Sequence, residues 1–231
     1  MKQYNKICVF DLETDGSDPL VCSPVQIAAI MIDPLKFEII PNSEFNLMIK
    51  PDKLENDPAH KYDDSDILSF HAKVRGCDQG EILRSWLAAT NQKQGWSMFV
   101  DYLDKYHCNH SKKSQFSAPV CSGYNINRFD LKIINRLSEK YGNTNKEKQT
   151  NVFHPRDVLD IMNLAYYWFR DVDELKSLSL DNLRDYLGIN KDNAHDALKD
   201  VKDCADILIR FLKLHKRLSE KIKFKDSFSD V

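Results

Sequence analysis

The sequence predicts an α/β fold, a mixed sheet flanked by helices, from three observations. Short apolar runs come early, beginning with Ile7, Cys8, Val9 and Phe10, and are too short for buried helices. Long stretches of helically spaced apolar residues come late, above all over residues 196–218. Between two of the early runs lies the turn Asp33-Pro34-Leu35-Lys36, through which the second strand returns into residues 37–40. The first strands are therefore expected to be antiparallel and the whole sheet mixed.

The first strand continues into Asp11 and Glu13. Strand side chains alternate with a period of two, so these carboxylates project side by side from one face, a geometry suited to a metal ion. A plainer account is that acidic residues end the strand before the turn Asp15-Gly16.

A second segment opens with the apolar residues 119–121 and the turn Ser122-Gly123-Tyr124-Asn125, after which helical spacing begins at Asp130. Ile133, Ile134, Leu137 and Tyr141 follow at steps of three, four, seven and eleven, which puts Asp130 on the apolar face. An Asp in a first turn also gains from the helix dipole, but that does not account for the side it faces.

The third segment is an amphipathic helix with Ala197, Val201, Cys204, Ala205, Ile207, Leu208, Phe211 and Leu212 inward. Asp200 lies on the edge of that stripe. Lys199, Lys202, Asp203, Asp206 and Arg210 fall on the outer face, where Asp203 and Asp206 read as ordinary surface charges. His195 precedes the helix, in a loop from which its ring can reach the same pocket as a general base; the alternative is a solvated residue at a helix entry.

Crowded carboxylates raise one another's pKa values, so such a site is stable only when cations offset the charge. Oxygen-only ligands suit Mg²⁺ or Mn²⁺. Replacing Asp11 or Asp200 by Ala should abolish activity and, without metal, raise stability, because each removes a repelling charge.

These segments, in this order, resemble the DEDDh (DnaQ-like) family of 3′→5′ exonucleases, the group containing the proofreading epsilon subunit of bacterial DNA polymerase III. The family carries D-x-E, then an Asp after an aromatic, then H-x-x-x-x-D, matched here by Asp11 and Glu13, Phe129-Asp130, and His195 with Asp200. Residues 25–33 look like its second strand, 45–51 its third, 157–160 a later strand and 177–189 the helix before the last motif, so the likeness spans about 5–215.

The resemblance implies a ribonuclease H-like sheet and a nuclease acting on 3′ ends, single-stranded DNA favoured, that releases nucleoside 5′-monophosphates with two divalent cations. It implies that Asp11 contacts both ions, Glu13 and Asp200 the one holding the attacking water, and Asp130 the other, with His195 as base. Thr14, Asp15, His71, Tyr124, Asn125 and Phe129 are the expected substrate contacts, and Phe70 a further stacking candidate. Two departures stand out: Asp15 adds negative charge where the family continues Thr-Thr-Gly, and residues 52–66 form a longer, more acidic insertion.

An exoribonuclease of the same family is the alternative enzyme. A non-catalytic nucleic-acid-binding or polymerase-accessory module is the alternative of another class, disfavoured because all five motif residues are present. Expected partners are single-stranded DNA or RNA 3′ ends and a polymerase or repair complex, with no membrane.

The 231 residues suit one exonuclease domain over 1–231, with 216–231 as helix end and tail. A formal charge of −2 gives no global pull toward nucleic acid, although Lys112-Lys113, Lys140, Lys146 and Lys148, and the lysines after 213 form local basic clusters. Six scattered cysteines without a C-x-x-C pair argue against structural zinc and fit a reducing compartment. No apolar stretch has the length of a signal peptide or a membrane span, so a cytoplasmic protein is expected.

Overall fold

The computed structural model describes residues 4–62, 65–191 and 196–222. In chain order the elements are β1 (Ile7–Thr14), β2 (Pro24–Asp33), β3 (Glu38–Ile39), β4 (Phe45–Met48), α1 (Asp52–Asn56), α2 (Ser65–Arg75), α3 (Gln79–Ala88), α4 (Gln92–Asp104), β5 (Val120–Gly123), α5 (Asp130–Tyr141), β6 (Val158–Asp160), α6 (Ile161–Phe169), α7 (Leu180–Leu187) and α8 (Ala197–Lys221).

The sheet runs β3-β2-β1-β5-β6, with β4 also on β2. β2 is antiparallel to β1, β3 and β4, whereas β5 and β6 run parallel to β1. This is the mixed sheet anticipated from the Asp33 turn, and β1 and β2 read as nearly unbroken apolar runs because both sheet faces are covered.

Alternate residues of β1 feed two cores. Cys8, Phe10 and Leu12 pack with Trp96 and Phe99 of α4 and with Ile133, Ile134 and Leu137 of α5. Ile7 and Val9 pack on the other face with Ile161 of α6, Leu183 of α7 and Val201, Cys204 and Leu208 of α8. A third cluster, built on Leu54, Leu68, Ala72, Ile82 and Trp86, seals the end of β2 at Val25.

The helices begin and end at local signals. Asp78, Asn91, Ser179 and Asp196 cap α3, α4, α7 and α8 with their side chains. Gly142 and Gly188 end α5 and α7 in left-handed conformation, at φ 80° and 67°.

The insertion over 52–66 is partly helical: α1 and the start of α2 lie in it, and Leu54 is drawn into the third cluster. Asp203 is interior, 6 % exposed, rather than a surface charge. The expected tail beyond 222 falls outside the described residues. Among the described residues no helix is long and apolar enough to cross a membrane.

Candidate active site

The site forms where β1 outruns its neighbour. β5 pairs only with Ile7, Cys8 and Val9, so the last residues of β1 project past the end of the parallel pair, where the crevice of an open α/β sheet lies. Asp11 and Glu13 share the parity of Ile7 and Val9 and so face α8, which packs on β1 near its first turns. Both are partly buried. Asp200 enters from that side.

Asp130 comes from the opposite face. It opens α5, is 5 % exposed, and its Oδ1 accepts the backbone N–H of Leu12 at 3.1 Å. The chain reaches it through a tight turn after β5. A Cβ at Gly123 would stand 2.5 Å from the Phe10 carbonyl oxygen and 2.5 Å from Ile126 Cγ2, so only glycine lets the turn pass this close beneath Asp11.

Asn125 follows in left-handed conformation at φ 57°. Asp160, at the end of β6, braces the turn by accepting Asn125 N–H at 3.0 Å and Asn127 N–H at 3.1 Å while capping α6 at Met162 N–H, 3.1 Å. By sequence, Asp160 is only part of a strand. The available signal was an Asp at a strand-to-helix junction, which marks a cap but not its second duty.

Asp200 is held by a residue the sequence reading did not single out. Arg184 of α7, with its side chain 1 % exposed, gives Nη2 to Asp200 Oδ1 at 2.6 Å, Nε to Asp203 Oδ2 at 2.8 Å and Nη1 to Asp181 Oδ1 at 2.9 Å. Asp203 also takes Lys199 Nζ at 2.6 Å on each oxygen, which is why a charge on the expected outer face lies inside. Burial alone would make the guanidinium easier to deprotonate, but the Asp200 charge and its three bonds hold it firmly cationic.

The four carboxylates feel one another. Burial, then Asp130, Glu13 and Asp200, push Asp11 well above the usual carboxylate range, with Arg184 pulling the other way. Burial and then the Asp200 charge push Glu13 up to about 7, against Arg75. Burial pushes Asp130 up to about 7, although the backbone N–H groups bonded to it, its own and that of Leu12, favour the charged form. Among the described residues no three acidic, His or Cys side chains are grouped closely enough to hold a metal ion between them; Asp130 accepts Leu12 N–H and Asp200 accepts Arg184 Nη2.

The expected substrate contacts divide. Thr14 is buried, its hydroxyl donating to the Gly16 carbonyl at 2.7 Å. Asp15 does not add charge to the crevice: its carboxylate points inward, accepting Ser23 N–H at 2.6 Å and the Tyr62 hydroxyl at 3.1 Å. His71 is likewise interior, 3 % exposed, and donates from Nε2 to the Thr14 carbonyl at 2.8 Å. Burial lowers its pKa, consistent with a neutral ring wedged against Trp86. The side chains of Asp15 and His71 are thus both engaged inside the protein, and of the two only His71 bonds the Thr14 backbone.

Tyr124 donates its hydroxyl to the Leu178 carbonyl, Asn125 is used through its backbone, and Phe129 packs partly against the first core. Phe70 stays exposed on α2 beside His71. His195 lies outside the described residues.

Residues 114–208 match the family RNase_T, described as exonuclease. The matched stretch covers somewhat under half of the chain, from the approach to β5 into α8. Over 212 residues it is 27 % identical to exodeoxyribonuclease I of Escherichia coli K12, spanning 87 % of this chain and 38 % of that protein. Its fold matches E. coli exonuclease I solved with a dT13 oligonucleotide (TM-score 0.66, 20 % identity, 94 % of this chain, 43 % of the other). It also matches an exonuclease I from Methylocaldum szegediense (TM-score 0.60, 21 % identity, 89 % and 40 %). The chain thus spans well under half the length of these relatives, and the solved structures speak to fold alone.

Proposed function

We propose that this chain is a metal-dependent 3′→5′ exonuclease that hydrolyses phosphodiester bonds at the 3′ end of DNA, single strands favoured, and releases nucleoside 5′-monophosphates. The observation that carries the reading is the meeting of Asp11, Glu13, Asp130 and Asp200 at one sheet end, where burial and the neighbouring carboxylates raise the affinity of Asp11, Glu13 and Asp130 for protons. A site that binds protons so readily is one whose negative charge calls for cations. The donors are all oxygen, which fits Mg²⁺ or Mn²⁺.

Asp11, Glu13, Asp130 and Asp200 would hold two such ions, which when bound supply an acidified water and stabilise the leaving 3′ oxygen. Glu13 and Asp200 lie on the face shared with α8 and are assigned to the side of the attacking water. Asp130, tied to Leu12 from the other face, is assigned to the leaving-group side. His195, one residue before the cap of α8, is assigned the water's proton, a role worth roughly 10² to 10⁴ in rate. The Thr14 backbone, steadied by His71, is assigned to the terminal sugar. Preference for single-stranded DNA rests on the exodeoxyribonuclease relative and on the dT13 complex of its structural counterpart.

The test is a time course on 5′-labelled single-stranded DNA and RNA of one sequence, with Mg²⁺, Mn²⁺ or EDTA, beside Asp11→Asn. DNA should shorten stepwise from its 3′ end, and EDTA or the substitution should stop it. Faster RNA shortening would make the chain an exoribonuclease; binding without cleavage of either would make it a binding module.

A further inference from the structure

We propose that Arg184 is a positioning residue for the cation site, holding Asp200 in the orientation in which it receives a divalent ion. The inference rests on the reading of Asp200 as a metal ligand given above and adds a residue that none of the three motifs contains.

The geometry argues for a device rather than a fastening. Each nitrogen of the guanidinium serves a different carboxylate: Nε takes Asp203, Nη1 takes Asp181 and Nη2 takes Asp200. Asp203 and Asp181 fix the fork from behind, and Lys199 in turn fixes Asp203. The fork is thereby locked with one N–H pointing at Asp200 at 2.6 Å. A lysine ammonium has no planar fork with which to reproduce this three-way arrangement.

Burying a guanidinium is costly, and α7 already has an apolar contact with α8 through Leu183. Joining the two helices therefore does not require Arg184. Orienting Asp200 does, because Asp11 and Glu13 lie across from it and repel it, and its side chain, 15 % exposed, borders solvent. Groups one layer behind metal ligands typically fix the ligand's orientation in this way.

Two physical effects of removing Arg184 have opposite signs, which makes the inference testable. Loss of a nearby positive charge by itself tightens cation binding. Loss of Asp200 orientation weakens it, on the order of 10- to 100-fold for such supporting groups.

The experiment is calorimetric titration of Mn²⁺ into the wild type, Arg184→Met, Arg184→Lys and Asp11→Asn, with the melting temperature of each recorded in EDTA and in Mn²⁺. Positioning requires Arg184→Met to bind Mn²⁺ roughly 10- to 100-fold more weakly, with Arg184→Lys recovering part of the loss. Equal or tighter binding by Arg184→Met overturns it, whatever happens to the melting temperature in EDTA. Arg184→Gln carries the same comparison if Arg184→Met does not fold. Failure of the underlying site is separate: Asp11→Asn would then bind Mn²⁺ as the wild type does, or the wild type would not bind it.

Discussion

The carboxylate of Asp130 accepts the backbone N–H of Leu12, the residue between Asp11 and Glu13, at 3.1 Å. This N–H is available because β5 pairs with β1 only as far as Val9. One side chain thus ties a helix on one sheet face to the strand that presents carboxylates on the other.

Asp130→Asn should keep much of that tie and remove the charge. Turnover is expected to fall on the order of 10²-fold or more, the scale of losing one preorganised electrostatic group, with little change in urea midpoint. A variant retaining near-normal turnover in Mg²⁺ would remove Asp130 from the site.

Asp11 and Asp200 should part company in stability while both losing activity. By sequence alone, replacing either carboxylate stabilises the metal-free protein. Asp11→Asn removes a carboxylate crowded by three others and should stabilise by about 1–2 kcal/mol in EDTA. Asp200→Asn instead takes a counter-charge from buried Arg184 and should destabilise by about 1.5–3 kcal/mol, the range for a hydrogen bond to a charged group. Urea unfolding of both variants decides it; stabilisation by Asp200→Asn would show that repulsion outweighs the Arg184 bond.

The pH dependence has a definite sign. Glu13 and Asp130 carry folded-state pKa values raised to about 7, above the ordinary values of 4.5 and 3.8. An acid whose pKa is raised by folding stabilises fully below its unfolded value and loses that contribution as pH rises through the folded value. The metal-free protein should therefore lose stability from these groups between about pH 4 and 8. His71, whose pKa folding lowers, acts in the opposite sense as pH falls below its ordinary 6.5. Comparing wild type with Glu13→Gln at pH 5 and pH 8 in EDTA isolates the first effect. The variant's relative stability should rise at pH 8 by on the order of 1–3 kcal/mol, and saturating Mn²⁺ should reverse the difference; no change with pH would contradict the crowding.

Asp160 braces the turn that leads to Asp130. Asp160→Ala leaves Asn125 and Asn127 N–H groups and the α6 cap without their acceptor, and should cost about 2–4 kcal/mol. Gly123→Ala should be comparably damaging, because its new Cβ would collide with the Phe10 backbone, which cannot yield without moving β1. Both variants should lower turnover by loosening the path to Asp130. Urea midpoints and single-turnover rates measure this, and a stable, fully active Gly123→Ala would mean that the turn has room to shift.

Local chemistry made much of this molecule readable. The apolar run into Asp11, the turn at Asp33, the helical spacing after Asp130 and the long stripe after Asp196 each predict an element that the fold contains. The helices over 52–88 were less readable. They meet the sheet near Val25 through a few residues such as Leu54 and Trp86 rather than along a continuous apolar face, so their spacing carries a weaker signal.

Periodicity is a property of neighbours in sequence, and so the sequence by itself determined the first strands, α5 and α8, and the faces of them that carry Asp11, Glu13 and Asp130. Partnership between distant residues belongs to tertiary structure. Nothing in the spacing of Arg184, Asp200 and Asp203 announces their shared buried fork, and nothing beside Asp15 announces Tyr62. Only packing α7 against α8 decided that Asp203 is interior and that Asp200 has a cation at its back. Only bringing Tyr62 and Lys53 up to the end of β1 decided that Asp15 turns inward. The physical reason is common to both: a buried charge must find a compensating group, and the closed fold alone brings that group within bonding distance.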